Sequence, residues 1–220
     1  MMSEGVADLV YNPLNYAWAL HEEFIRRTGG NGAKCILLGM NPGPHGMGQM
    51  RIPFAATSVV RDLIGISGIA VAKPEVSHPK RPVHGLEHPK EEVSGTRLWG
   101  ALEQRYGDID KISQEVYFVN HCPLMILNGE NGTNVTPNNI SGQVVDDLMD
   151  ICDQHLREVV DALGARKVVG IGKYAEKRAV TALHGYGVSI ETCWHPSPAS
   201  PLANRNGGAD WRANISKVLP

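Results

Sequence analysis

The run Cys35-Ile36-Leu37-Leu38-Gly39, followed at once by Met40-Asn41-Pro42-Gly43-Pro44, decides the fold. A short uncharged apolar run of this kind, closed by Gly and Pro, reads as a strand buried on both faces. Three further runs match it, at residues 116–119, 168–171 and 188–193. Helical patterns separate them near residues 57–64, 96–106, 142–163 and 173–183. Upstream, Asn12 is placed as an N-cap with Pro13 at the first helical position. Leu14, Ala17, Trp18, His21, Phe24 and Ile25 then fall on one face, and Gly29 ends the helix. The helix at 142–163 carries Val144, Val145, Leu148, Ile151, Cys152, Leu156, Val159 and Val160 as its apolar stripe. A last short helix starts at Asp210. Such alternation predicts an α/β chain, a three-layer α/β/α sandwich around a central four-stranded parallel sheet, with residues 1–220 as one domain.

Three stretches read as irregular: 41–53, the Pro- and His-rich 73–92, and 195–209. Ligands of open parallel sheets bind beyond the carboxyl ends of the strands. The loops after Gly39, Val119 and Cys193 are therefore expected to meet there, bringing Asn41, Asn120 and His195 together. In Asn41-Pro42-Gly43-Pro44 the prolines fix the backbone and Gly43 permits close approach of a ligand. A tight strand-to-helix turn capped by Asn41 is the plainer alternative. His195-Pro196-Ser197-Pro198 forms a second rigid loop, whose histidine is either a catalyst or a structural residue. Gly170-Ile171-Gly172-Lys173 lacks the spacing of a phosphate loop and reads as a turn. Lys173, Lys177 and Arg178 read as a solvated helix face.

With 220 residues, 42% of them hydrophobic, the chain can bury one good core. A formal net charge of -2 excludes a protein that coats nucleic acid electrostatically, but leaves room for a local basic lip. Cys35, Cys122, Cys152 and Cys193 lie far apart without a Cys-x-x-Cys pair, so they are expected to be buried thiols in a reducing compartment, not metal ligands. No signal peptide or membrane-spanning run is found, which points to the cytosol and leaves the sequons at Asn134 and Asn214 unused.

Taken in order, the motifs resemble the single-strand-selective monofunctional branch of the uracil-DNA glycosylase superfamily. The resemblance runs through Gly39-Met40-Asn41-Pro42-Gly43-Pro44, Gly46-Met47, Gln49 and Pro53-Phe54. It continues through Val60-Arg61-Asp62, His78-Pro79-Lys80-Arg81-Pro82-Val83, Gly85-Leu86-Glu87 and Ser94-Gly95-Thr96-Arg97. Asn120 with Cys122-Pro123-Leu124, then Gly172-Lys173-Tyr174-Ala175-Glu176, and finally His195-Pro196-Ser197-Pro198 complete it, covering nearly the whole chain.

The resemblance implies hydrolytic release of uracil and 5-modified uracils from single- and double-stranded DNA, without cofactor or metal, by a monomer. It implies that Asn41 positions the water and that His195 stabilises charge developing at O2 of the departing base. Phe54 would stack on the flipped base, Asn120 would read its Watson–Crick edge, and Met40 and Gly43 would lie near its 5-position. To choose uracil, the Asn120 amide must be held in one orientation, with the Cys122-Pro123 turn as the expected anchor. The loop Pro196, Ser197, Pro198, Ala199 and Ser200 would enter the duplex, with Arg205 taking a wedge or phosphate role. Ala199 stands where the family is often basic, and Arg51 and Ala55 where glycines are common. The reaction would take place with the DNA, in the nucleoid of a bacterium or the nucleus of a eukaryote.

Three other readings stay open from sequence. One is a non-catalytic binder of damaged DNA, another a thiol hydrolase using Cys122 with His121 or His195. The third is a superfamily member acting on xanthine or hypoxanthine.

Overall fold

The computed structural model describes residues 1–220. Four strands, β2 (Cys35–Gly39), β3 (Val116–Asn120), β6 (Lys167–Ile171) and β7 (Ser189–Cys193), form one parallel sheet in the order β3-β2-β6-β7. Strand β2 is buried along its whole length, as its uninterrupted apolar sequence requires. Alternate residues serve opposite layers. Leu37 joins Phe118, Val169 and Ile171 beneath α2 (Trp18–Thr28), α4 (Val93–Tyr106) and α9 (Ala209–Ser216). Ile36 and Leu38 join Val119 and Val168 beneath α6 (Gln143–Leu163) and α7 (Lys173–Ala182). Each fully buried Leu or Ile is worth about 1.5–3 kcal/mol, so both layers clamp the sheet.

A second, antiparallel sheet of β1 (Leu9–Tyr11), β4 (Met125–Asn128) and β5 (Thr133–Val135) has the order β1-β4-β5 and was not expected. Tyr11 joins it to the His78–Val83 block: its hydroxyl accepts from His78 N (2.6 Å) and donates to Arg81 O (3.0 Å). Buried Gln49 braces that block against the Asn41 loop, donating to Pro44 O and Pro82 O and accepting from His84 N.

Several sequence expectations need correction. The first helix is two: α1 (Pro13–Tyr16) stops at Ala17 (φ -123°, ψ 25°) before α2 begins. The break turns Tyr16 inward, where its hydroxyl donates to Gly48 O (2.6 Å). Leu20, Phe24 and Thr28 then face the core, whereas Trp18 and Ile25 are exposed. The expected 57–64 helix contains a π-wound turn at Val59–Leu63. Short helices α3 (Met47–Met50) and α8 (Pro201–Asn204) occupy stretches expected to be irregular, and α5 (Ile109–Glu115) precedes β3. Ile151 is 68% exposed, because it borders a groove instead of the core. Arg178 leaves the solvated cluster to pair with buried Asp153. No helix is long and apolar enough to cross a membrane.

Candidate active site

A cavity of about 290 Å³ opens at the carboxyl ends of the parallel strands. Met40, Asn41 and Gly43 reach it from the loop after β2, Asn120 from the last position of β3, and His195 and Ser197 from the loop after β7. Phe54 completes the group expected from sequence. Met47, Glu92, Ser94, Asn134 and Thr136 also line it.

The Asn41 carboxamide is oriented by Asn134 of β5, whose Oδ1 accepts from Asn41 Nδ2 at 3.4 Å. Asn134 in turn donates to Pro42 O (3.0 Å), so the loop and the amide share one anchor. With its nitrogen engaged, the Asn41 oxygen is the acceptor left for a water. Glu92 approaches from the N-cap of α4. One oxygen accepts from Ser94 N, and the other lies 3.1 Å from where a Cβ on Gly43 would be. Any larger residue at position 43 would meet that carboxylate.

Asn120 is 7% exposed. Its Nδ2 approaches Met47 Sδ (3.0 Å), and its Oδ1 has no hydrogen-bond partner. The expected anchor in the Cys122-Pro123 turn does not hold the amide. That turn is tied by backbone instead, Cys122 N donating to Met40 O (2.8 Å) and His121 N to Gly39 O (3.0 Å). A buried acceptor left bare costs about 1–3 kcal/mol, which a ligand donor would recover. Gly39 makes the packing possible: a Cβ there would fall 2.0 Å from Asn120 Oδ1 and 2.8 Å from the Phe54 ring. Phe54 itself sits at φ 53°, a left-handed conformation that strains a bulky residue. Its carbonyl is wedged against α4, where a Cβ on Gly95 would lie 2.2 Å away. The ring leans on Phe118 and faces the His195 ring at 6.2 Å.

His195 Nδ1 accepts from Ser197 N (3.1 Å). In the neutral ring the other nitrogen, Nε2, then carries the proton. Burial lowers the His195 pKa, with Glu92 pulling the other way, so the neutral donor form dominates at pH 7. The loop is braced by Arg97, which donates to Pro196 O (3.0 Å) and to Asn204 Oδ1 (2.9 Å), while Asn204 donates to Pro198 O. Pro196 is buried in this brace, whereas Pro198 and Ala199 form an exposed tip with Ser200 half-buried behind it. Arg205 stands outside the cavity, exposed and 3.6 Å from Asp210.

Cys122 is fully buried against Cys152, and His121 is committed to Asp153 (2.7 Å) and Tyr174 (3.0 Å), which leaves no thiol–imidazole pair. Lys173 pairs with Glu176 at the start of α7. No three His, Cys, Asp or Glu side chains lie close enough to hold a metal ion. Asn134 and Glu92 escaped sequence reasoning. The first sits in a three-residue polar strand, and the second in the charged run Lys90-Glu91-Glu92, which looks like any solvated surface.

A family model, the Uracil DNA glycosylase superfamily, matches residues 27–214. The single-strand selective monofunctional uracil-DNA glycosylase of Rattus norvegicus is 43% identical over 212 residues, covering 96% of this chain and 76% of that protein. Its counterpart of Bos taurus is 43% identical, covering 96% and 77%. Among solved structures, wild-type Pedobacter heparinus SMUG2 superposes with a TM-score of 0.66 at 19% identity, over 95% of this chain and 84% of that one.

Proposed function

The chain belongs to the uracil-DNA glycosylase superfamily, and on that premise we propose that residues 1–220 act as one monomeric domain that hydrolyses the bond between uracil and deoxyribose in DNA. It is a monofunctional uracil-DNA glycosylase that starts base excision repair. The single observation that carries the assignment of the site is the bare, buried Asn120 Oδ1, set in one cavity with Asn41 and the neutral ring of His195.

In this reading the nucleotide is turned out of the helix and its base stacks on Phe54, with Met40 and Gly43 beside its 5-position. Asn120 Oδ1 accepts from uracil N3–H, and Nδ2 leaves the Met47 sulfur, a weak acceptor, to donate to O4. As the C1′–N1 bond breaks, the electron pair leaves with the base. His195 Nε2–H donates to O2, where that charge collects, a contribution of about 10²–10³ in rate. The sugar is left as a cation, so the water needs orientation more than deprotonation, and an amide suffices. Asn41 Oδ1 holds the water, and Glu92 stands beside it as a second acceptor and as negative charge near the sugar. The water oxygen bonds C1′ and its proton is released by way of Glu92, while uracil is protonated from solvent. An abasic site with an intact backbone remains.

Single- and double-stranded DNA are both substrates, and 5-hydroxymethyluracil is accepted with uracil. Ser197, Pro198, Ala199 and Ser200 enter the gap in the stack, Pro196 sets their direction, and Arg205 meets a phosphate. No cofactor takes part, and the enzyme works where the cell keeps its DNA. Oligonucleotides bearing uracil, 5-hydroxymethyluracil, xanthine or hypoxanthine, single- and double-stranded, test this directly. Uracil and 5-hydroxymethyluracil should be released in the presence of chelator, with no imine trapped by borohydride. Faster release of xanthine or hypoxanthine, or no release at all, refutes the assignment.

A further inference from the structure

Arg51 is the least expected side chain in the molecule. Its backbone is left-handed (φ 61°), a conformation that favours glycine, and its residue is 7% exposed. Nε is buried with no hydrogen-bond partner. The groups that face the guanidinium are the phenols of Tyr16 and Tyr117 and the rings of His21 and His155, none of them a carboxylate. Burial pulls the Arg51 pKa down to about 10, so the group stays charged at neutral pH. A buried charge without a counter-charge is strongly disfavoured, and proteins normally pair it.

Arg51 also lines a groove of about 710 Å³ beside the edge strand β3, where Asn120 forms part of the wall shared with the base cavity. Leu14, Leu124, Leu148 and the exposed Ile151 give the groove an apolar lining. Asp150 and Glu158 of α6 also border it. A planar guanidinium in an apolar trough suits a carboxylate carried on an apolar body, because the fork engages both oxygens while the body covers Ile151. The two acidic side chains oppose a polyanion such as the DNA backbone and favour a single charge. We propose that this groove is a second ligand site, separate from the base cavity, that binds a small apolar carboxylate on Arg51.

Sodium benzoate is the probe, titrated against sodium chloride at equal ionic strength, with binding read by calorimetry and by Tm. The parent protein should bind it saturably, with Tm rising about 2–4 °C at ten times Kd. Arg51→Gly should fold at least as well, since glycine suits φ 61°, and should lose the response. Ile151→Glu, at a solvent-exposed position, should weaken binding fivefold or more without altering the fold. His195→Ala, in the base cavity, should bind benzoate as the parent does. No saturable binding by the parent, undiminished binding by Arg51→Gly or Ile151→Glu, or loss of binding in His195→Ala each overturns the proposal.

Discussion

Replacing Gly39 by Ala tests the site through its tightest contact. The new methyl would lie 2.0 Å from Asn120 Oδ1 and within 2.9 Å of two Phe54 ring atoms, where ordinary contact begins at 3.4 Å. The carboxamide must therefore retreat by about 1.4 Å, the difference between the first and last of those distances. Strand β2 is central and paired on both sides, so the backbone is the less yielding partner. A displacement of that size breaks both hydrogen bonds to the uracil edge. Each broken bond leaves a buried group unmatched at about 1–3 kcal/mol, so the expected loss from the two is about 2–6 kcal/mol, or roughly 30-fold to 20,000-fold in kcat/KM. Overpacking adds a destabilisation of about 1–3 kcal/mol, visible as a lower Tm but small enough to leave the protein folded at 25 °C. Single-turnover release of uracil from a single-stranded oligonucleotide gives the rate, and circular dichroism gives the fold. A folded Gly39→Ala protein that releases uracil within threefold of the parent would refute the contribution of Asn120 to base reading.

His195→Ala should slow the chemical step by about 10²–10³ with DNA affinity unchanged, since Nε2–H meets a charge that exists only as the bond breaks; equal single-turnover rates count against it. Asn120→Asp should lose the donor to O4, fall at least tenfold on uracil and gain weak release of cytosine, whose N4 amine a carboxylate can accept. If that variant keeps the parental uracil rate and ignores cytosine, another residue reads the base. Stability should fall in acid. His21 and His88 are held at about 3 and about 4, and His45, His155 and His195 are also lowered, all chiefly by burial. Below about pH 6.5 the unfolded chain therefore binds protons that the folded one refuses. The contribution of these histidines is whole above that pH and is lost as pH falls toward their folded values. The loss is up to about 1.4 kcal/mol per unit for the well-buried His21 and His195 and less for the others, most of all His45 and His88, which solvent screens. A urea midpoint that stays flat from pH 7 to pH 4.5 contradicts this.

The central sheet was legible because β2 and its neighbours are continuous apolar runs, and burial on both faces writes itself into composition. The rigid loops were legible because proline and glycine act locally. The second sheet was not, because β1 and β5 are three residues each, too short to show an alternation, and β1 pairs with β4 more than 100 residues away. Asn41, Asn120 and His195 could be brought together from topology alone, whereas Asn134 could not, because its position depends on β4–β5 pairing. The orientation of Asn120 was also beyond reach. Nothing in Asn120-His121-Cys122 indicates that a methionine 73 residues upstream would stand against the amide.

The first turn of α4 touches four parts of the site at once. Glu92 meets Gly43, Ser94 lines the cavity, Gly95 receives the Phe54 carbonyl, and Arg97 holds Pro196. Each residue of a helix advances about 1.5 Å and turns about 100°, so these contacts share one ruler. Lengthening or shortening residues 92–97 by one would rotate part of the set away from the rest, and no single compensating substitution elsewhere could restore it. Descendants of this chain are therefore held here in length as well as in the identities of Glu92, Gly95 and Arg97, whereas the exposed segment Lys73–Val76 can gain or lose residues at little cost.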